Sequence, residues 1–398
     1  MARAFTGISV LDFTQVLAGP FCTQQLAMQG ASVIKIEQPG SGDQTRGLMS
    51  GTDDDEGMSA TYQTCNVGKR SLTLDLKHPK SAEIVRRLVR QSDVLVENFR
   101  PGVMDRLGFD YEVCRELKPD LIYCSISGYG QSGPKAHVAA YDGAVQADSG
   151  MMAITGSDAS GPLRTGYMPV DMSTAINAAF AISTALYRRA TTGEGQRLDI
   201  AMMDTAVVMQ AIQYARFLDT EEMPERIGNR SPTGLPTANV FAANDGFLQI
   251  LALKPNQVEK LFTAIDATTK LEEPAFATNE SRTEHYDEVS HFINAKLAMN
   301  STEFWHQKLL DLGVPVALVR DFSSVREDPQ FSSRNVFLDN PTSDTSVDTV
   351  IGSGYLSFPD PPSISGAAPR LGEHTDTILR ELNFSPIDID AFRNDGVL

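Results

Sequence analysis

The sequence predicts an α/β protein, with a parallel Rossmann-like sheet in its first two-thirds and a smaller α+β domain after it. Short β-rich segments alternate with helical ones up to about residue 220, an order typical of a parallel sheet. Beyond that point a segment rich in Pro, Gly and charge is followed by a different pattern. The length of 398 residues also favours more than one core.

Strands are predicted where β-branched and apolar residues cluster, at 8–13, 32–37, 72–76, 94–96 and 121–124. An amphipathic helix is predicted over 81–90, and a long apolar helix from Met172 to Arg189. Apolar residues nearly surround the long helix, Ile176 and Phe180 among them, which predicts burial. Residues 41–66 are interpreted as a loop, Asn244-Asp245-Gly246 as a hairpin turn, and 376–382 as the last helix. Ligands of such sheets bind at the strands' carboxyl ends.

Composition excludes several classes of function. The formal net charge of −17 opposes nucleic-acid and anionic-membrane binding. No apolar run is long enough to span a membrane, and the first residues lack a signal-peptide pattern. The six histidines lack metal-ligand spacing, so no metal site is expected. The four cysteines form no C-x-x-C pair, and a cytoplasmic protein with free thiols is predicted: Cys22, Cys65, Cys114 and Cys124.

One stretch of the acidic chain is basic. Between residues 69 and 106 nine Lys or Arg stand against five Asp or Glu, a local charge of +4. Some of them have helical spacing, which is typical of a solvated helix face. Others lie at the ends of elements, where ligand contacts concentrate: Lys69, Arg70, Lys77, Arg100 and Arg106. This distribution indicates a small polyanionic ligand.

A G-x-G-x-x-G pattern occupies 128–133, but Pro134 follows at once and the motif does not follow the first strand. Both features argue against dinucleotide binding and leave the loop available to shape a substrate pocket. No G-x-S-x-G, H-E-x-x-H or Walker A pattern occurs. The usual hydrolase and kinase motifs are therefore missing.

Asp171 lies directly before the predicted long helix. An aspartate at such a place is most often an N-cap. The place also suits a nucleophile, since a helix N-terminus favours the ionised carboxylate at neutral pH. Neighbouring backbone N–H groups would also stabilise an oxyanion. The local pattern leaves both interpretations open.

Several motifs recur together in one order along the chain: VLDF at 10–13, AGP at 18–20, GASVIKIE at 30–37, NVGKRSLTLDLK at 66–77, VENFRPG at 96–102, GEGQ at 193–196 and LGEHTD at 371–376. The ordered set resembles the class III CoA-transferases, the family that includes formyl-CoA transferase and carnitine CoA-transferase. The resemblance implies transfer of coenzyme A (CoA) from an acyl-CoA to a carboxylic acid through an aspartyl-CoA thioester. It also implies that Asp171 is the nucleophile and that CoA is a substrate, with no permanently bound cofactor.

The family's CoA contacts map onto a further set of residues: Leu17, Ala18, Leu74, Asp75, Leu76, Lys77, Asn98, Phe99, Arg100, Arg106 and Tyr141. The implied fold is a large Rossmann-like domain built from both chain ends, with a smaller inserted α+β domain. The corresponding ranges are 1–220, 225–320, and a C-terminal segment 325–398 that returns to the large domain. The family also implies an interlocked homodimer.

Two departures from the family pattern define the alternatives. Formyl-CoA transferase has a glutamine where this chain has Leu17, and a glycine run where residues 226–240 hold only Gly228 and Gly234, so the resemblance does not imply formyl/oxalate exchange. Related acyl-CoA racemases keep a His-Asp pair where this chain has Tyr141 and Asp142. A 2-methylacyl-CoA racemase that uses the nearby His137, and a CoA-binding protein without catalysis, remain the alternatives.

Overall fold

The computed structural model describes residues 3–48, 58–341 and 347–398. The strands are β1 (Ser9–Asp12), β2 (Ser32–Glu37), β3 (Arg70–Thr73), β4 (Val94–Glu97), β5 (Ile122–Ser127), β6 (Gly156–Ser157), β7 (Gly161–Pro162), β8 (Gln196–Ala201), β9 (Ala238–Ala242), β10 (Phe247–Leu251), β11 (Val316–Leu318), β12 (Phe337–Asp339) and β13 (Thr349–Ile351).

The helices of the first half are α1 (Ala18–Met28), α2 (Ala60–Asn66), α3 (Ser81–Gln91), α4 (Val103–Leu107), α5 (Tyr111–Leu117), α6 (Asp142–Asp148), α7 (Met151–Ile154) and α8 (Pro169–Thr192). The later helices are α9 (Met202–Met209), α10 (Ala211–Thr220), α11 (Pro255–Ala264), α12 (Pro274–Ala277), α13 (Asn279–Glu284), α14 (Tyr286–Leu297), α15 (Thr302–Asp311), α16 (Phe322–Arg326), α17 (Pro329–Ser333), α18 (Thr375–Glu381) and α19 (Pro386–Asn394). Short 3₁₀ turns occupy Gln44–Arg46 and Thr268–Glu272.

A six-stranded sheet with the order β3-β2-β1-β4-β5-β8 organises the chain. Every neighbouring pair in it is parallel, which confirms the predicted parallel sheet. The chain order runs outward from β1 in one direction and from β4 in the other, so these two adjacent strands form the topological switch point. In such sheets a ligand crevice opens outside the carboxyl ends at the switch point.

From β3 to β5 in the strand order both faces of this sheet are packed, and successive residues of a strand lie on opposite sides. Leu11, Leu72 and Leu95 join one core with α3 and α18. Val10, Val33, Val94 and Ile122 join a second core with α1 and α8. Burial on both faces explains why these strands appear in the sequence as nearly continuous apolar runs.

The chain divides into two compact units. One comprises Met1–Met151, Arg164–Glu222 and Pro329–Leu398, and the other Met152–Leu163 and Met223–Asp328. Residues 152–163, which lie within the range 1–220 given above, thus belong to the second unit. The backbone N–H of Gly228 donates to the Gly156 carbonyl there, at 2.7 Å.

The second unit contains a three-stranded antiparallel sheet, β11-β10-β9. Ala242 pairs with Phe247 across the turn between β9 and β10, which confirms the predicted hairpin. Phe262, Phe276 and Phe292 form an aromatic cluster in its core.

Four predictions for local structure were wrong. The long helix begins at Pro169 rather than Met172, because proline is well suited to the first helical position. Its surface is not buried all round: Ile176 and Phe180 are 59% and 70% exposed. The predicted loop 41–66 ends in α2, although its residues 49–57 lie outside the described part of the chain. The predicted last helix is followed by α19, which begins after Ser385 with a capping box. None of the helices in the described residues combines the length and hydropathy needed to cross a bilayer.

Candidate active site at the switch point of the sheet

A cavity of about 300 Å³ opens at the carboxyl ends of β1, β4 and β5. Its walls are the loop after β1, the loop after β4, the end of β5, the segment before α6 and the start of α8. The lining residues are Gln15, Val16, Leu17, Ala18, Gln44, Asn98, Phe99, Arg100, Pro101, Ile126, Ser127, Gly128, Val138, Ala139, Ala140, Tyr141, Asp171 and Met202. The volume is at the lower end of the range for ligand pockets, about 300–1,000 Å³.

Asp171 lines this cavity as the third residue of α8, so it is not the N-cap. The cap position is Met168, whose side chain makes no capping bond. Asp142 of α6 supplies the cap instead: its Oδ2 accepts from the backbone N–H of Val170 at 2.8 Å and of Asp171 at 3.1 Å. The Asp171 carboxylate is therefore not needed to satisfy the helix.

Two carboxylates thus meet at one helix N-terminus. Burial first, and then the negative charge of Asp142, raise the pKa of Asp171 from 3.8 to about 7. The expectation that the helix end keeps Asp171 ionised was therefore wrong. The favourable helix end is already occupied by Asp142, and burial penalises the second charge.

A hydrogen bond from Gln146 holds the Asp142 side chain in place. Asp142 is 5% exposed, and its Oδ1 accepts from the Gln146 side-chain amide at 2.5 Å. The side-chain Oε1 of Gln146 in turn accepts from the backbone N–H of Thr165 at 3.0 Å. This series of hydrogen bonds fixes the start of α8, and therefore the backbone to which the Asp171 side chain is attached.

The cavity brings together seven of the predicted site residues: Leu17, Ala18, Asn98, Phe99, Arg100, Tyr141 and Asp171. The other five do not line it. Four of them follow β3, at the carboxyl ends of the strands: Leu74, Asp75, Leu76 and Lys77. Arg106 is exposed on α4. They are outside the immediate surroundings of Asp171.

Two of the basic residues noted in the sequence are engaged within the protein. Lys69 is fully buried, and its Nζ lies 2.9 Å from Asp12 Oδ2. Arg70 pairs with Glu381 at 2.7 Å. The local charge of +4 therefore overestimates the positive charge available to a ligand. Arg100, in contrast, lines the cavity.

Sequence reasoning missed Asp142 as the cap, because its contact with α8 spans 29 residues of chain. The G-x-G-x-x-G loop does contribute to the pocket through Gly128. A Cβ on Gly128 would lie 2.5 Å from that of Ala140, so this glycine allows the segment before α6 to approach β5. His137, the base invoked for a racemase, is not among the cavity residues. Within the described ranges no cluster of three His, Cys, Asp or Glu side chains is arranged to hold a metal ion.

A parallel sheet with a cavity at its switch point and a carboxylate in that cavity is typical of an α/β enzyme. The chain belongs to CoA-transferase family III, whose family model matches residues 5–375. It is a CoA-transferase, as its curated relatives are.

Two relatives are 36% identical, and each comparison covers 95% of both chains: a succinate–glutarate CoA-transferase of Agrobacterium fabrum and an acetyl-CoA:oxalate CoA-transferase of Acetobacter aceti. A formyl-CoA:oxalate CoA-transferase of Rhodopseudomonas palustris is 33% identical, over 100% of this chain and 98% of that one. Among solved structures, a CAIB/BAIF family protein from Brucella suis matches with a TM-score of 0.89 and 32% identity, over 96% of this chain and 100% of that one.

Proposed function

We propose that the protein moves CoA from an acyl-CoA donor to a carboxylic acid acceptor through a thioester on Asp171. The observation that carries the proposal is the Asp171 carboxylate in the switch-point cavity, where Asp142 already caps the helix. A carboxylate that is not needed for capping, yet remains in a ligand cavity, is free for nucleophilic catalysis.

The reaction balances without a redox partner or a net proton. The Asp171 carboxylate attacks the carbonyl carbon of the donor thioester. The C–S bond breaks, CoA departs as a thiolate, and a mixed anhydride between Asp171 and the donor acid remains. The thiolate attacks the Asp171 carbonyl carbon and expels the donor as a free carboxylate, which leaves an aspartyl-CoA thioester. The acceptor carboxylate then attacks the aspartyl-CoA carbonyl and releases CoA thiolate, which gives a second mixed anhydride. The thiolate attacks the acceptor's acyl carbon in this anhydride, forms the new acyl-CoA and regenerates the Asp171 carboxylate.

The Asp142–Asp171 pair favours formation of this intermediate. Only the ionised carboxylate is nucleophilic, and with a pKa near 7 about half of the Asp171 side chains are ionised at neutral pH. Acylation removes the charge that burial and Asp142 both oppose. The ground-state penalty on ionised Asp171 is thereby released in the covalent intermediate.

The substrates we propose are an acyl-CoA and a small carboxylic acid. The cavity of about 300 Å³ accommodates the reacting end, and Arg100 offers a charge-assisted bond to a CoA phosphate. Lys77 and Arg106 are exposed at the same edge of the sheet and would meet the nucleotide end. The similarity to succinate–glutarate and oxalate CoA-transferases makes short dicarboxylic acids the first acceptors to assay.

We also propose that two copies associate as an interlocked homodimer. Apolar side chains are exposed on α8, α9 and α10, and those on α8 repeat at helical spacing: Ile176, Phe180, Tyr187, Val208 and Ile212. Exposed apolar surface of this extent is typical of a protein–protein interface. A second copy is the occupant that the family resemblance implies.

Trapping of the covalent intermediate tests the mechanism. Incubation with acyl-CoA alone should build up an adduct that hydroxylamine converts to a hydroxamate on the peptide containing Asp171. Asp171→Asn should abolish both the adduct and transfer, while acyl-CoA still binds. Asp204→Asn is the matched control, because Asp204 is also the third residue of its helix but is exposed outside the cavity. An adduct on another residue, or near-normal turnover in Asp171→Asn, would refute the proposal.

A further inference from the structure

Val16 lies in the cavity wall with an unusual backbone. Its φ is +71°, in the left-handed region that β-branched residues adopt only under strain. Strained residues of this kind persist only where the surrounding structure holds them, and they cluster at functional sites. Some group must therefore hold Val16 in this conformation.

A buried ion pair holds the two backbone groups on either side of Gln15. Lys35 Nζ lies 2.8 Å from Asp43 Oδ2, and neither side chain is accessible to solvent. Lys35 Nζ also donates to the Thr14 carbonyl at 2.7 Å, and Asp43 Oδ1 accepts from the Val16 N–H at 3.2 Å. The pair thus bridges the carbonyl before Gln15 and the N–H after it.

The pair is charged in spite of its burial. Burial opposes ionisation of both groups, but their mutual attraction holds the pKa of Asp43 below its usual value and that of Lys35 above it. Asp12 and Glu37 add to the attraction on Lys35. Thr45 donates to Asp43 Oδ1 through its backbone N–H at 2.9 Å and its hydroxyl at 2.8 Å, which fixes the orientation of the carboxylate.

Asn98 of the β4 loop clamps Gln15 itself. The Gln15 N–H donates to Asn98 Oδ1 at 2.8 Å, and Asn98 Nδ2 donates to the Gln15 carbonyl at 2.7 Å. Every backbone polar group from the Thr14 carbonyl to the Val16 N–H is therefore bound by a side chain. The loops after β1 and β4, which form two walls of the cavity, are tied together at this point.

We propose that the Lys35–Asp43 pair is a positioning device for the active site: it holds Val16 in the left-handed conformation and so sets the cavity wall Gln15–Ala18. This inference rests on the proposed function for its catalytic consequence only. Lys35 and Asp43 do not line the cavity and act through the loop. Loss of the Asp43 anchor lets Val16 relax to negative φ and displaces the wall that faces the substrate.

The first arm of the test measures strain by melting temperature and is independent of any activity. Glycine adopts left-handed φ without strain, so Val16→Gly should raise Tm by about 1–2 °C in the otherwise unchanged chain of 398 residues. In an Asp43→Ala background the loop has already relaxed, and the same substitution should not raise Tm, because no strain is left to relieve. Val138→Gly, at another valine of the cavity wall whose φ is not left-handed, should lower Tm.

The second arm measures function in the full-length protein. Asp43→Ala should weaken CoA binding in calorimetry and lower the kcat of transfer at least tenfold. Adding Val16→Gly to Asp43→Ala should restore part of the lost turnover, because the left-handed loop then costs nothing. A merely structural role for Asp43 predicts no such rescue.

The outcomes separate the two proposals. Equal Tm shifts from Val16→Gly in both backgrounds, or no rescue in the double variant, would overturn the positioning role. If the Tm coupling is present but the wild-type chain transfers no CoA, the proposed function fails and the holding of Val16 stands. If Asp43→Ala does not fold because Lys35 is left unpaired, Lys35→Met with Asp43→Ala removes both charges, and the same coupling is expected.

Discussion

The Asp142–Asp171 pair contributes to the pH dependence of the protein's stability, and Asp171→Asn should remove that contribution. Between pH 3.8 and about 7 the folded protein retains a proton on Asp171 that the unfolded chain has released. Because the folded state binds more protons there, its stability falls as pH rises through this window. Asn carries no charge at any pH, so the variant escapes the penalty.

The magnitude follows from the size of the pKa shift. A rise from 3.8 to about 7, at about 1.4 kcal/mol per unit, corresponds to an upper limit of about 4 kcal/mol above pH 7. At pH 5 only the interval between pH 3.8 and pH 5 contributes, which corresponds to roughly 1.5 kcal/mol. Asp171→Asn should therefore stabilise the protein at pH 5 and at pH 8, and by nearly three times as much at pH 8.

Urea denaturation of both proteins at pH 5 and pH 8 measures the difference in the free energy of unfolding. Asp204→Asn, at an exposed carboxylate on α9, should show little change between the two pH values. A stabilisation by Asp171→Asn that is equal at pH 5 and pH 8, or a destabilisation at pH 8, would refute the pKa argument and with it the charge repulsion between Asp142 and Asp171.

Four further predictions concern activity and assembly. The transfer rate of the wild-type enzyme should rise with pH through about 7, and Asp142→Asn should move this rise to lower pH because it removes the neighbouring charge. Arg100→Ala should weaken acyl-CoA binding by roughly 1.5–3 kcal/mol if its bond to a phosphate is charge-assisted, and Lys77→Ala, at an exposed position, by less. Phe180→Asp should weaken or abolish the dimer in analytical ultracentrifugation, since it puts a charge into the proposed apolar interface. No α-proton of a 2-methylacyl-CoA should exchange in deuterated water, because His137 does not line the cavity; exchange that is lost in His137→Ala would favour a racemase.

The sheet was predictable because its strands are buried on both faces. A run of β-branched residues can be recognised as a strand without knowledge of the neighbouring strands. The range 32–37 predicted in this way coincides with β2, Ser32–Glu37. β8 was missed since its burial alternates along QRLDIA, as expected of the last strand in the sheet order. The parallel sheet also implied ligand binding at the carboxyl ends of the strands, and the cavity lies at the carboxyl ends of β1, β4 and β5. The strand order that places the switch point between β1 and β4 came from the structure.

The chemistry inside the cavity was only partly predictable. Asp171 and the loop residues Asn98 and Arg100 lie at motif positions next to strand or helix ends, which a sequence displays directly. The capping by Asp142 and the clamp of Asn98 on Gln15 depend on contacts between residues 29 and 83 positions apart. The pKa of Asp171 depends on the first of these, so no local pattern could give its direction.

The C-terminal segment completes the buried charge network of the first unit, and this has a consequence for biosynthesis. Arg46 and Tyr62 both donate to the Pro369 carbonyl, at 3.1 Å, across more than three hundred residues of chain. At about 5–20 residues per second, a ribosome needs roughly a quarter of a minute to a minute to bridge that interval. During this time Arg46 and Tyr62 lack one acceptor, whereas Met223–Asp328 emerges as one continuous stretch. A nascent chain stalled before residue 369 should therefore protect Met223–Asp328 from protease sooner than it protects the segment around Arg46 and Tyr62.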